Sequence, residues 1–208
     1  MSADLLRLGE LVGRLMDGGA RWFHVDVMDA HFVPNLTLGT EFVRQLAGLV
    51  RSRGGALDVH LMVERPAVMV DLMLAHADAI SVHVEADPHP HRLLQQIRAG
   101  GLLAGLAINP GTSLHAVHWL LESLDYVNCM GVNPGFSGQS FIPETPDRVE
   151  ALRSMLPAGV AIEVDGGVSA ENVAVLREAG ATLLVSASSI FAAADPVAAY
   201  VELAGRRS

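Results

Sequence analysis

Residues 22–29 read WFHVDVMD, which is typical of a β-strand with one apolar and one polar face. Because side chains alternate along a strand, His24 and Asp26 point to one side and the apolar residues between them point to the other. A polar face that ends in a carboxylate is unusual for a buried strand. The pattern therefore predicts a strand whose carboxyl end forms part of a reaction site.

Two later stretches have the same character. Residues 56–62 read ALDVHLM and place His60 on the same face as Asp58. Residues 160–167 read VAIEVDGG, and Asp165 ends the predicted strand before two glycines. The three strands together present four potential ligands: His24, Asp26, His60 and Asp165.

Composition limits the possible functions. The 208 residues are 50% hydrophobic, enough for one compact domain, which we expect to span residues 1–208. The net charge of −9 argues against a nucleic acid or an anionic membrane as a partner. The only cysteine, Cys129, lies in an apolar run, which favours buried packing in a cytoplasmic protein. We find no signal-peptide pattern and no apolar stretch long enough to span a membrane.

All 14 basic residues are arginine, so the sequence contains no lysine. This excludes Schiff-base catalysis, pyridoxal phosphate attachment and a P-loop lysine. Carbanion-type chemistry in this protein must therefore use a metal ion or hydrogen bonds as the electron sink.

Predicted strands and helices alternate along the chain, which is typical of repeated βα units around a parallel sheet. The strands are expected at 22–28, 56–62, 79–84, 103–108, 126–132, 160–165 and 182–186. The helices are expected at about 5–17, 41–50, 66–75, 90–99, 112–123, 145–155, 169–179 and 196–204.

These elements predict an α/β protein with the TIM (β/α)8 barrel fold. Seven strands accompany eight helices and the unpaired helix is the first one, so the first strand of the barrel is expected to be missing from this chain. We expect that the natural chain begins upstream and that Met1 is internal to it. Two alternatives stay open, namely an open seven-stranded sheet and a gap covered by a partner.

In such barrels the carboxyl ends of the strands form the active site. Two imidazoles and two carboxylates suit one divalent metal ion, such as Zn²⁺, Fe²⁺, Co²⁺ or Mn²⁺. Either histidine alone would indicate a hydrogen-bonded core residue, but four groups at matching strand positions favour a metal site. Asp26 and Asp165 could also transfer protons on opposite faces of a substrate whose carbonyl the metal polarises. That reaction would invert a carbon centre without a redox cofactor.

Three segments after late strands could bind phosphate through backbone N–H groups. They are Gly135 to Gly138, Gly166-Gly167 and Ala187-Ser188. Any one of them could be only a turn, but three in this order favour a phosphorylated ligand. Met28, Met62 and Met130 stand near strand ends and could form an apolar cover over the reacting atoms. His83 and His31 are interpreted as supporting polar residues.

The chain resembles the ribulose-phosphate 3-epimerase family. The matching stretches run in order through most of the sequence: 2–4 (SAD), 24–29 (HVDVMD), 31–35 (HFVPN), 58–62 (DVHLM), 109–112 (NPGT), 132–141 (VNPGFSGQSF) and 163–167 (EVDGG). The resemblance implies a metal-dependent barrel that interconverts D-ribulose 5-phosphate and D-xylulose 5-phosphate through an enediolate, in the pentose phosphate pathway. We expect a phosphorylated ketose as the partner and a homo-oligomeric protein.

The resemblance also implies residue roles. His24, Asp26, His60 and Asp165 would bind the metal. Asp26 would be the proton acceptor and Asp165 the proton donor in one direction. Substrate contacts would come from Ser2, His60 and Asp165, and phosphate contacts from Gly135, Phe136, Ser137, Gly138, Gly166, Gly167, Ala187 and Ser188.

Four positions depart from the family pattern. Ala30 stands within the usual Asp-Gly-His, Gly131 replaces a serine, and Ser137 and Ala187 replace glycines. The metal set is intact, but the departures leave open a related six-carbon substrate, D-allulose 6-phosphate. A further hypothesis is a non-catalytic barrel that binds a sugar phosphate, which the missing strand favours and the intact ligand set opposes.

Overall fold

The computed structural model describes residues 3–205. Seven strands form one parallel sheet in chain order, with β1 and β7 at its edges. They are β1 Trp22–Met28, β2 Ala56–Met62, β3 Ala79–His83, β4 Leu103–Ile108, β5 Tyr126–Met130, β6 Ala161–Asp165 and β7 Leu183–Val185. The seven strands expected from the sequence are therefore present, and each lies within two residues of its predicted bounds.

Helices alternate with these strands. They are α1 Leu8–Asp17, α2 Thr40–Arg51, α3 Ala67–Met73, α4 Pro90–Ala99, α5 Thr145–Met155, α6 Val173–Glu178, α7 Ser188–Phe191 and α8 Pro196–Leu203. A 3-10 turn, Leu5–Arg7, precedes α1, and Asp4 caps it by accepting the Leu6 N–H at 3.0 Å. No helix within residues 3–205 has the length and apolar character needed to cross a bilayer.

The sheet is rolled into a nearly closed barrel. His24 Nε2 on β1 lies 3.7 Å from Asp165 Oδ2 on β6, although five steps in strand order separate them. Across the interior, the Tyr126 hydroxyl on β5 donates to Asp58 on β2 at 2.6 Å. Such contacts require a curled sheet, which confirms the TIM-barrel class. Because seven strands already come this close to closure, the predicted loss of a first strand is not confirmed.

The outer face of the sheet forms the hydrophobic core with the helices. Val25 and Val27 of β1 pack in the same cluster as Val43 and Val50 of α2. Full burial of such a side chain contributes about 1.5–3 kcal/mol relative to exposure. The inner face instead buries seven polar side chains: Asp58, His60, Ser81, His83, Asn128, Glu163 and Asp165. The barrel interior is therefore where the chemistry of this fold is concentrated.

The helix predicted over 112–123 is wrong. The chain instead forms two 3-10 turns, Leu114–Val117 and Leu121–Ser123. The buried residues of this segment recur every third position, at Val117, Leu120 and Ser123. This spacing matches the three residues per turn of a 3-10 helix rather than the 3.6 of an α-helix.

Candidate functional site

The strand register brings the four predicted ligands together. β1 pairs with β2 so that Asp26 stands beside His60, and Asp165 ends β6. His60 Nδ1 lies 3.3 Å from Asp26 Oδ1 and 3.2 Å from Asp165 Oδ2. His24 Nε2 lies 3.2 Å from Asp26 Oδ1 and 3.7 Å from Asp165 Oδ2. One donor atom from each residue thus lies within 4.8 Å of all the others.

This donor set is compatible with a divalent metal ion. Ligand bonds of about 2.0–2.2 Å in a tetrahedral site place neighbouring donor atoms about 3.3–3.6 Å apart. The four separations given above, 3.2–3.7 Å, bracket that range. Two imidazole nitrogens and two carboxylate oxygens suit transition metals better than Ca²⁺ or Mg²⁺, which prefer oxygen ligands alone.

His24 is oriented from behind by a buried carboxylate. Asp58 Oδ2 lies 2.6 Å from His24 Nδ1, and Asp58 Oδ1 accepts the Tyr126 hydroxyl at 2.6 Å. A carboxylate accepts only, so Nδ1 of His24 donates and Nε2 is left to face Asp26 and Asp165. Such an outer partner fixes the ring and its tautomer in metal sites.

Glu163 is a third buried acid beneath His24. Its Oε1 lies 3.8 Å from His24 Nδ1, and its side chain is 6% exposed. Burial and then the charge of Asp58 raise the pKa of Glu163 well above its ordinary value, although His24 opposes them. No role is predicted from the sequence for Asp58, Tyr126 or Glu163. Residue alternation could have identified the two acids, because each stands two positions before a predicted ligand.

The charges around the ligands are strongly coupled. Burial lowers the pKa of His24, but the nearby carboxylates, first Asp58, outweigh it and hold the pKa well above the ordinary value. The pKa of His60 is also raised. Burial lowers it, but Asp165 and Asp26 outweigh this effect. Burial raises the pKa of Asp26, yet hydrogen bonds from His24 and His60 bring it far below its usual range. A cation at this position would displace protons from both imidazoles.

A cavity reaches two of the four predicted ligands. Its lining includes Asp26 and Asp165 and the three methionines predicted to cover the site. It also includes every described residue to which a phosphate contact was assigned: Gly135, Phe136, Ser137, Gly138, Gly166, Gly167, Ala187 and Ser188. His60 is fully buried and is not among the lining residues, so its contact with substrate stays a prediction. Ser2 lies outside the described residues.

The backbone around the cavity suits an anion. Gly166 and Gly167 have φ of 102° and 70°, and a Cβ at Gly166 would lie 2.4 Å from Val132 Cγ2, so both positions favour glycine. Within residues 3–205, the N–H groups of 135–138 and of both these glycines donate no hydrogen bond to the protein. They are therefore available to a bound group.

Two side chains with no role predicted from the sequence shape the glycine-rich loop. Asn35 Nδ2 donates to the Gly135 carbonyl at 2.7 Å, which ties the loop after β1 to the loop after β5. Gln139 Nε2 donates to the carbonyls of Asn133 and Phe136 at 2.6 and 2.8 Å. Both lie in stretches that match the family, but only the folded chain reveals these partners.

Two of the departures from the family pattern fit the observed backbone. Ala187 has φ of −108°, an ordinary conformation that needs no glycine. A Cβ at Gly131 would lie 2.4 Å from the Gly166 carbonyl oxygen, so a serine could not replace this glycine without a shift of the backbone. Gly131 and the turn at Gly166 are therefore fitted to each other.

Fold and site together define a barrel with two carboxylates, two histidines and a cavity lined by free backbone donors. A sequence model of the ribulose-phosphate 3 epimerase family matches residues 1–191, and the chain belongs to this family. It is 47% identical to the ribulose-phosphate 3-epimerase of Synechocystis sp. over 197 residues, which is 92% of this chain and 84% of the relative. It is 40% identical to that of Bacillus subtilis over 215 residues, with 100% and 96% covered.

Solved structures support the fold alone. KGPDC from Streptococcus mutans superposes with a TM-score of 0.75 at 12% identity, covering 97% of this chain and 91% of the other. At that identity the likeness confirms the barrel and carries no information on the reaction.

Proposed function

We propose that this protein is a ribulose-phosphate 3-epimerase, which inverts C3 between D-ribulose 5-phosphate and D-xylulose 5-phosphate. Membership of the family supports the enzyme class and the substrate. The observation that carries the proposal is the placement of Asp26 and Asp165, which come from different strands and both line the cavity beside the histidines.

The two aspartates would act as a proton-transfer pair. Asp26 removes the C3 proton of one epimer, and Asp165 donates a proton to the opposite face of the planar enediolate. In the reverse direction the roles exchange. In the metal-free protein, hydrogen bonds from His24 and His60 lower the pKa of Asp26 against the effect of burial, so this carboxylate is ionised. Neither step needs a redox cofactor or a lysine.

A divalent metal ion would be held by His24 Nε2, Asp26 Oδ1, His60 Nδ1 and Asp165 Oδ2. When bound, it supplies Lewis acidity that polarises the keto group next to C3. Zn²⁺, Fe²⁺, Co²⁺ and Mn²⁺ all accept this set of nitrogen and oxygen donors. Elemental analysis of protein purified without chelators would identify the ion.

The phosphate would bind at the far end of the cavity. Free N–H groups of 135–138 and 166–167 provide donors without a basic side chain, which fits the acidic composition of the chain. Met28, Met62 and Met130 line the cavity near the aspartates and would limit the access of bulk water to the reacting carbon.

The decisive experiment is conversion of D-ribulose 5-phosphate in deuterated water, followed by NMR at C3. We expect D-xylulose 5-phosphate that carries deuterium at C3, with loss of turnover on metal removal and recovery on reloading. Parallel assays with D-allulose 6-phosphate test the six-carbon alternative. If folded, metal-loaded protein exchanges no C3 proton in either sugar, the enzymatic proposal is refuted and only a binding role is left.

We also propose a cytoplasmic homo-oligomer. The single cysteine, Cys129, is buried and unpaired, which needs no oxidising compartment. Trp119 is 86% exposed, and Leu36 and Val68 are also largely exposed, so apolar side chains would be available for contact between copies. Analytical ultracentrifugation tests this, and a monomer at micromolar concentration would overturn the assembly.

A further inference from the structure

A line of hydrogen-bonding groups leads from His60 away from the cavity. His60 Nε2 lies 2.8 Å from His83 Nε2, and His83 Nδ1 lies 3.2 Å from Glu85 Oε2. Both imidazoles are fully buried, while the Glu85 side chain is 25% exposed. The candidate metal site is thus connected to an acidic residue that has no role in the proposed reaction.

The carboxylate of Glu85 determines where the protons in this line reside. Because a carboxylate only accepts, His83 Nδ1 donates to it, and neutral His83 keeps an accepting Nε2. His60 Nε2 then donates to His83, so neutral His60 has its lone pair on Nδ1. Nδ1 is the atom that faces Asp26 and Asp165 at 3.3 and 3.2 Å. The line therefore selects the tautomer of His60 that can bind a cation.

The segment 109–112, which matches the family but has no role so far, holds Glu85 in place. Glu85 Oε1 accepts the Asn109 N–H at 3.0 Å and the Thr112 hydroxyl. Arg148 on α5 donates to the carbonyls of Asn109 and Thr112, each at 3.1 Å. Both oxygens of Glu85 thus face donors, an arrangement that a carboxylate satisfies and an amide does not.

We propose that Glu85 is a positioning residue, which acts through His83 to select the tautomer of neutral His60 whose Nδ1 lone pair is directed at the metal position. This inference deepens the proposed function and rests on it for its catalytic consequence. Its consequence for metal affinity is independent of the substrate. Loss of an outer partner of a metal-bound histidine weakens metal affinity by about 10–100-fold in known sites.

The test is Glu85→Gln, measured as Co²⁺ affinity from visible absorption and as Zn²⁺ affinity by competition with a chromophoric chelator. Whichever way the amide turns, its NH2 group meets an N–H donor, either His83 Nδ1–H or the Asn109 N–H. We expect about 10-fold weaker binding of both metals, the lower end of that range, because Glu85 acts on His60 through His83. Glu41→Gln is the matched control, since Glu41 pairs with Arg44 on the exposed surface of α2, and we expect it to bind metal like the wild type.

NMR of the imidazole nitrogens provides a readout that a merely structural role would not change. In wild-type protein loaded with Zn²⁺, we expect the proton of His83 on Nδ1 and that of His60 on Nε2, and Glu85→Gln should move the His83 proton to Nε2. Wild-type metal affinity in folded Glu85→Gln, or wild-type His83 protonated on Nε2, would overturn the inference. The wild-type spectrum decides the question even if the variant does not fold. Absence of epimerase activity in the wild type would refute the proposed function alone.

Discussion

At the scale of single residues, the backbone of Ala30 carries strain. Its φ is 59°, in the left-handed region that favours glycine, and the family usually has glycine there. The turn is fixed by Asp29, whose Oδ1 accepts the N–H groups of His31 and Phe32 at 2.8 and 2.9 Å. The surrounding hydrogen bonds therefore impose a conformation that alanine adopts at a cost in free energy.

Replacing Ala30 by glycine should stabilise the protein. A left-handed conformation costs an L-residue roughly 1–2 kcal/mol, and the greater unfolded-state freedom of glycine cancels part of the gain. We expect Ala30→Gly to raise the free energy of unfolding by about 0.5–1 kcal/mol, measured by urea denaturation. Ala151→Gly, at an exposed position of α5, should change stability in the opposite direction by about 1 kcal/mol. A loss of stability in Ala30→Gly would contradict the assigned strain.

Substitution of each of the two aspartates should separate removal of the C3 proton from epimerisation. In Asp165→Asn, Asp26 can still exchange the C3 proton of D-ribulose 5-phosphate with solvent, but the opposite face receives no proton. We expect deuterium exchange to persist while conversion falls about 10²–10⁴-fold, the usual contribution of a general acid or base. Asp26→Asn should show the mirror behaviour, with exchange only from D-xylulose 5-phosphate.

These measurements require saturating metal, because both aspartates are also proposed ligands. Asp71→Asn, an exposed carboxylate on α3, is the control and should react like the wild type. Equal loss of exchange from both sugars in both variants, with metal content retained, would contradict the division of roles.

At the scale of elements, β4 and β5 fit together through a glycine. Gly105 pairs with Tyr126 across the two strands, and a Cβ at Gly105 would lie 2.3 Å from Tyr126 Cζ. The absence of a side chain lets the tyrosine ring cross the interior and reach Asp58 with its hydroxyl at 2.6 Å. The orientation of His24 thus depends, through Asp58 and Tyr126, on a glycine in another strand.

Gly105→Ala should therefore destabilise the protein and weaken its metal site. Overpacking of a tight interior costs about 1–3 kcal/mol, and displacement of the ring also removes the donor to Asp58. We expect a loss of at least that size by urea denaturation, together with weaker Co²⁺ binding. Gly48→Ala in α2 is the control, because nothing lies within 4 Å of its added Cβ, and it should stabilise by about 0.5–1 kcal/mol. Equal effects of the two substitutions would refute the packing argument.

The sequence predicted the elements well and the contacts between them only in part. Two-residue alternation predicted β1, β2 and β6 and placed the four predicted ligands on one face of these strands, since both properties are local. The hydrogen bond from Tyr126 to Asp58 depends on how far the sheet curls, which no local pattern specifies. The same holds for the line from His60 to Glu85, whose members lie on two strands and one loop. The helix predicted over 112–123 rests on a capping residue, Thr112 or Ser113, which is a local signal, whereas packing on the barrel imposes a three-residue repeat.

At the scale of the whole molecule, the barrel divides into an apolar outer layer and an inner layer of coupled charges. Without a cation, the buried carboxylates raise the pKa of His24 and His60 against the effect of burial. Burial, followed by the charge of Asp58, raises the pKa of Glu163 and Tyr126 as well. The interior of the metal-free protein therefore retains protons that the unfolded chain would lose.

Metal-free protein should lose stability as the pH rises above 6.5. A group whose pKa is raised on folding stabilises fully below its unfolded pKa, about 6.5 for histidine, and this contribution disappears as the pH rises through the folded value. Groups whose pKa is lowered on folding do not reverse this fall in stability. Hydrogen bonds from His83, Thr112 and Asn109 bring Glu85 to a pKa of about 2 despite its burial, and burial lowers the pKa of His83 to about 4. The contribution of Glu85 is complete by pH 6.5, and that of His83 is complete about one pH unit above its unfolded pKa of about 6.5, so the two raised histidines outweigh it. We expect the urea midpoint of chelator-treated protein to fall steadily between pH 6.5 and pH 9.

Excess Zn²⁺ should reverse the trend, because a cation that displaces these protons binds more tightly as they become easier to remove. If the metal-free protein were equally stable at both pH values, or more stable at pH 9, the two histidines could not share a proton-rich cluster with the aspartates.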